Sequence, residues 1–146
     1  IPDFLFTSSS MSESLPRIVP RVLVLDDNED VLRIMRMIFN QLGYDAVIEN
    51  QDEVAVARFE QGRFDLVIQD YSRDRGNGAT FLRKIRDLED GKSRVPVIFV
   101  TGQLHETVVE GLERMGLCFE DEVSAFITKP FEAALLMKEI KTLLGL

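Results

Sequence analysis

Four short and nearly uninterrupted apolar runs, each ending in an acidic, hydroxyl or ammonium residue, constrain this chain more than any other feature. Val22-Leu23-Val24-Leu25 leads into Asp26-Asp27, and Leu66-Val67-Ile68-Gln69 into Asp70. Val97-Ile98-Phe99-Val100 leads into Thr101, and Ala125-Phe126-Ile127-Thr128 into Lys129-Pro130. A strand that is apolar on both faces needs cover on both faces, as in a parallel sheet packed between helices. If the runs are parallel strands, Asp26, Asp27, Asp70, Thr101 and Lys129 meet at one edge of one sheet.

The intervening stretches change period from strand to helix. Val31, Ile34, Met35, Ile38 and Leu42 predict a helix over 29–42, with Asn28 as N-cap and Gly43 as the stop. A short second strand is expected over 45–48 and a second helix over 52–61, ended by Gly62. The third helix is expected over about 79–88, with Phe81, Leu82 and Ile85 inward, and the fourth along Leu104, Val108, Leu112 and Met115. A fifth strand over 124–128 precedes a last helix over 131–144, with Ala133, Leu136, Ile140 and Leu143 on one face and Leu135 off it. Pro130 suits a first helical position. Five such βα units build a parallel sheet covered on both sides, and right-handed crossovers leave few topologies. Sites in open sheets of this kind form beyond the carboxyl ends of the strands, at the switch in strand order.

Carboxylates crowded at such an edge repel and stay ionised only beside a cation, which points to a metal site. An all-oxygen donor set suits Mg²⁺, which keeps several waters and takes one or two carboxylates. A hydroxyl and a lysine beside it suggest a phosphoryl group.

The segments V-L-V-L-D-D-N-E-D, D-L-V-I-Q-D-Y, V-I-F-V-T-G and F-I-T-K-P, in this order, resemble the receiver domain of bacterial two-component response regulators. The resemblance covers residues 21–146 and implies a flavodoxin-like (βα)5 three-layer sandwich of α/β class, its five-stranded parallel sheet in the order 2-1-3-4-5. It implies that Asp70 accepts a phosphoryl group from the phosphohistidine of a sensor histidine kinase or histidine phosphotransfer protein. Mg²⁺, with Mn²⁺ as a substitute, would be held by Asp26, Asp27, Asp70 and the backbone carbonyl of Ser72. Lys129 and Thr101 would contact the phosphoryl oxygens, Thr101 and Phe126 would form the switch, and Ser72 and Gln103 would tune hydrolysis. The surface made by the fourth helix, fifth strand and fifth helix would then meet an output protein or a second copy. Such a domain is a signalling phosphoacceptor, not an enzyme, catalysing at most its own phosphorylation and dephosphorylation.

Two departures from the pattern stand out. Asp74 occupies the fourth position after Asp70, where many receivers carry proline, so the loop 72–78 should be mobile and its two arginines solvated. The stretch 116–123 is longer than the usual connection into the fifth strand.

Composition narrows the alternatives. With 146 residues and 45% of them hydrophobic, the chain can bury one ordinary core. A formal net charge of −8 argues against direct nucleic-acid binding. The single Cys118 excludes an internal disulfide, fits a reducing cytoplasm and is expected to be a small buried or half-buried side chain. The single His105 excludes a histidine-rich zinc site and should sit exposed in the first turn of a helix. No apolar run approaches a membrane span. Residues 1–20, rich in serine and proline, are expected to be a leader or tag before a start at Met11, or an interdomain linker. The main alternative is a pseudo-receiver that binds partners without phosphate. A haloacid-dehalogenase-type phosphatase is disfavoured because Asp70-Tyr71-Ser72 is not D-x-D, and an NTPase because no phosphate-binding G-x-x-x-x-G-K-[ST] loop exists.

Overall fold

The computed structural model describes residues 19–73, 76–89 and 94–146. Most of the expected leader or linker, and Asp74 and Arg75 of the departing loop, lie outside them. In chain order the elements are β1 (Arg21–Leu25), α1 (Glu29–Leu42), β2 (Asp45–Glu49), α2 (Asp52–Gln61), β3 (Leu66–Gln69), β4 (Ser72–Arg73) and β5 (Gly76–Asn77). They continue with α3 (Gly78–Leu88), β6 (Val97–Thr101), α4 (His105–Arg114), α5 (Phe119–Glu122), β7 (Ala125–Thr128) and α6 (Ala133–Leu144). Five strands pair in parallel in the order β2-β1-β3-β6-β7, which is the expected 2-1-3-4-5 topology. β4 and β5 form a separate antiparallel hairpin.

The side-chain alternation of each strand divides the core into two layers. Val22, Val24, Leu66, Ile68, Ile98 and Val100 face one way, packing with Met35, Ile38 and Phe39 of α1 and Leu136 and Ile140 of α6. Leu23, Leu25, Val67, Val97 and Phe99 face the other way, against Ala55, Phe81, Leu82, Ile85, Val108 and Leu112 of α2, α3 and α4. Because every central strand is covered on both faces, its run is apolar at consecutive positions.

Helix α1 begins where Asn28 accepts hydrogen bonds from the Asp30 and Val31 amides, and it ends at Gly43 in the left-handed region at φ 74°. Its buried stripe runs through Val31, Leu32, Met35, Ile38 and Phe39, so Ile34, expected inward, falls off the stripe and is exposed. Leu104 is likewise exposed, because α4 starts only at His105. At the end of the chain α6 starts at Ala133, leaving Pro130 outside it, after a cis Lys129-Pro130 peptide. Ala133 is exposed, whereas Leu136 and Ile140 are buried and Leu135 points outward as expected.

The long connection 116–123 contains the short helix α5, too short to show a helical period in the sequence. Its last residue, Glu122, is buried and pairs with Arg86 Nε at 2.6 Å and with Arg94. Arg86 also donates to Glu89 and to the Val95 carbonyl, and Glu89 accepts the Val95 amide. A buried ionic cluster thereby ties α3, α5 and the approach to β6 together. Cys118, expected to be buried or half-buried, is exposed beside Glu120, because α5 turns the Phe119 side chain toward the core instead.

Gly111 lies on the buried face of α4, where a Cβ would overlap Tyr71 Oη. Alanine in a helix interior normally gains about 1 kcal/mol over glycine, but overpacking typically costs about 1–3 kcal/mol. Gly111→Ala is therefore expected to lower the melting temperature, and the loss should shrink in a Tyr71→Leu background. A Gly111→Ala protein that melts above the wild type would show that Tyr71 yields freely.

Candidate functional site

The polar residues that end the strands meet at the carboxyl edge of the sheet, beside the switch in strand order between β1 and β3. Asp70 follows β3 directly, and its amide donates to the Leu25 carbonyl at 3.1 Å, continuing the ladder to β1. That bond sets Asp70 next to Asp26, whose own amide donates to the Glu49 carbonyl of β2 at 3.2 Å. On the other side, the Lys129 amide donates to the Thr101 carbonyl at 2.9 Å, so β6 and β7 present Thr101 and Lys129 together. Backbone hydrogen bonds alone thus fix the stems of four site residues.

Each of the two central carboxylates divides its oxygens between backbone and lysine. Asp70 Oδ1 accepts the Ser72 amide at 3.2 Å, and Asp70 Oδ2 accepts Lys129 Nζ at 2.7 Å. Asp26 Oδ1 accepts the Asn28 amide at 2.9 Å, and Asp26 Oδ2 lies 2.9 Å from the same Nζ. Lys129 bridges the pair while keeping about a fifth of its side chain exposed, at 19%. Asp26 and Asp70 are buried and Asp27 is half-buried. Among the described residues no three His, Cys, Asp or Glu side chains are grouped to hold a metal ion. The ammonium of Lys129 occupies the space between Asp26 and Asp70.

Electrostatics follow from this geometry. Burial raises the Asp26 pKa above the ordinary carboxylate value, against the opposing pull of the Asn28 amide and Lys129. Burial also pulls Lys129 down, but the hydrogen bonds and charges of Asp70 and Asp26 outweigh it and leave its pKa raised. Two acids share one ammonium, so this trio remains net negative and attracts further positive charge.

The other expected residues lie around this centre. Thr101 is fully buried, and its Oγ1 accepts the Gln103 amide at 3.1 Å. Phe126 is half-buried, its ring centroid 5.5 Å from that of His105 and 5.9 Å from that of Phe119. His105 is exposed in the first turn of α4, as expected, and stands edge-on to Phe119 at 4.5 Å. Ser72 is exposed and Gln103 half-exposed.

Arg73, expected to be solvated, is instead buried. It grips Asp52 of α2 with Nε at 2.8 Å and Nη2 at 2.7 Å, and its Nη1 donates to the Asp70 carbonyl. An arginine in a polar loop reads as a surface charge, and only the packing of α2 against the loop supplies its partner.

The fold is a doubly wound α/β domain whose acid, lysine and hydroxyl residues gather at the carboxyl edge of the sheet. Within it, a family profile described as the response regulator receiver domain matches residues 22–141, and the chain belongs to that family. The chain is 28% identical over 122 residues to chemotaxis protein CheY-3 of Vibrio cholerae, covering 82% of this chain and 88% of that one. It is 26% identical over 120 residues to the Vibrio cholerae CAI-1 autoinducer sensor kinase/phosphatase CqsS, covering 82% of this chain but only 17% of that protein's length. In fold it is similar to the receiver domain of sensor histidine kinase PA1611 from Pseudomonas aeruginosa, solved with a magnesium ion coordinated in the active site cleft. That match has a TM-score of 0.73 at 24% identity and covers 88% of this chain and 99% of that one. Among the described residues no helix is long and apolar enough to cross a membrane.

Proposed function

We propose that this receiver is phosphorylated on Asp70 by a phosphohistidine donor, a sensor histidine kinase or a histidine phosphotransfer protein, and thereby switches a partner-binding surface. The observation that carries this reading is the position of Lys129 Nζ, in hydrogen-bond contact with both Asp70 and Asp26 at the carboxyl edge of the sheet. A carboxylate oxygen of Asp70 forms the new O–P bond as the P–N bond of the donor breaks. Lys129 is a point charge placed to follow the transferred group's oxygens. The Ser72 amide orients the remaining Asp70 oxygen. Thr101, one strand away, turns its hydroxyl from the Gln103 amide to a phosphoryl oxygen, and Phe126 moves into the space vacated.

The residues also fit Mg²⁺ or Mn²⁺: the donors are hard oxygens, and two carboxylates, Asp26 and Asp70, face a single ammonium. Asp26, Asp27, Asp70 and the Ser72 carbonyl would hold the ion once Lys129 gives up the space between the two aspartates, a grouping that these side chains do not form as they stand. When bound, it neutralises charge building on the transferred group. Gln103 and Ser72 would modulate the approach of hydrolytic water. The responding surface comprises α4, β7 and α6, with a protein partner or a second copy of the chain as its occupant, in the cytoplasm.

The reading is tested by incubating the protein with acetyl phosphate and Mg²⁺ and counting phosphoryl groups by intact mass. One group on the wild type and none on Asp70→Asn is expected. Undiminished labelling of Asp70→Asn would refute Asp70 as the acceptor. A wild type that binds partners but takes no phosphoryl group would favour the pseudo-receiver.

A further inference from the structure

The loop that follows Asp70 is held by an ionic pair that a phosphoacceptor site does not itself require. Arg73 belongs to the β4–β5 hairpin, three residues past Asp70, yet only 1% of its side chain is exposed. A guanidinium removed from water is stable only when its donors are met. Two of them fork onto Asp52 in the first turn of α2, at 2.8 and 2.7 Å. Nη1 serves the Asp70 main-chain carbonyl and reaches Gln69 Oε1 at 3.4 Å, and the guanidinium lies 5.8 Å from the Phe81 ring centroid.

The hairpin is shaped around this pair. Gly76, opposite Arg73 in the ladder, has φ 138°, and a Cβ there would lie 2.7 Å from Asp52 Oδ2. The backbone thus closes directly over the Asp52 carboxylate, which no side chain at position 76 would permit. Asn77 then caps α3 by accepting the Thr80 amide at 3.0 Å. The acceptor's carbonyl, the Ser72 amide on its Oδ1 and the hairpin are linked through one guanidinium to a second helix.

We propose that Arg73 and Asp52 form a positioning pair for Asp70, fixing the peptide after the acceptor so that its carboxylate stays aimed between the Ser72 amide and Lys129. This inference rests on the reading of Asp70 as phosphoacceptor. Neither residue touches the transferred group. Their contribution is orientation, and a misplacement of the order of 1 Å costs up to about a hundredfold in rate.

The test uses the double variant Asp52→Leu/Arg73→Met, chosen because it leaves no lone buried charge. Labelling by acetyl phosphate with Mg²⁺ should slow roughly ten- to hundredfold at saturating donor, with the half-saturating donor concentration unchanged. Hydrogen exchange of the Ser72 amide should quicken while that of β1 and β3 stays as in the wild type, a pattern that a general loss of stability does not produce. Arg73→Lys keeps a charge beside Asp52 but cannot fork, and it should show the same split if the double variant fails to fold. A wild-type labelling rate in these variants, or unchanged exchange at Ser72, would overturn the proposal. If the wild type itself takes no label, the acceptor reading falls, and Ser72 exchange still decides whether the pair holds the loop.

Discussion

Lys129→Met should lose phosphoryl labelling by about a hundred- to thousandfold, the effect of removing a preorganised charge from a transferring group. Without divalent cations it should also destabilise the fold at neutral pH by about 3 kcal/mol, the low end for breaking a buried ion pair, because the ammonium is partly exposed. Its bonds to Asp70 and Asp26 vanish together, leaving two buried carboxylates side by side. The pH dependence has a definite sign. Asp26 titrates higher in the folded protein than in the unfolded chain, because of burial. The native state therefore binds the proton first, and stability rises as pH falls through the folded pKa toward the unfolded one. Taking away Lys129 removes a lowering influence and raises that pKa further, so the variant's deficit should be largest near neutrality and shrink on acidification. In the wild type the Lys129 contribution is complete below its unfolded pKa and is lost only as pH rises through its raised folded value. Urea titrations across pH would check this, and a deficit that does not change with pH would contradict it.

Glu122→Ala is expected to be among the most destabilising changes away from the site, by about 3 kcal/mol, the low end for breaking a buried ion pair, because Arg86 Nε loses its carboxylate while Nη1 keeps Glu89 and the Val95 carbonyl. Burial alone would raise Glu122, but hydrogen bonds and charge from Arg86 and Arg94 hold its pKa below the ordinary carboxylate value. Its stabilising contribution is therefore present above the unfolded pKa and lost as pH falls through the folded one. Recovery should need the triple variant Arg86→Met/Glu89→Leu/Glu122→Leu, since Arg86→Met/Glu122→Leu alone would leave the buried Glu89 carboxylate with only the Val95 amide. A Glu122→Ala protein that melts like the wild type would mean that the cluster contributes nothing.

What the sequence could show and what it could not divide along a physical line. Strands buried on both faces, an Asn28 cap and a Gly43 stop are local signals, and the observed sheet order and the bounds of α1 agree with them. The meeting of Asp26, Asp70, Thr101 and Lys129 at one edge follows once the strands are parallel. Ile34 failed because helical spacing names a stripe but not its centre, which Leu32 and Phe39 shift sideways. Arg73 failed for a different reason, which also kept Glu122 from standing out. A charged residue in a polar segment reads as solvated, and its burial depends on a partner far along the chain, Asp52 for one and Arg86 for the other. Cys118 followed Glu122, since the short helix α5 that buries Phe119 and Glu122 turns the thiol outward.

The most direct measurement is the location of the covalent phosphoryl group. Treating the labelled protein with borohydride reduces an acyl phosphate to an alcohol, which turns a phosphorylated aspartate into homoserine, and peptide sequencing by mass spectrometry places it. Homoserine at position 70 and at no other aspartate is the expected result. An intact Asp70 in a protein that has taken up phosphoryl groups elsewhere would contradict it.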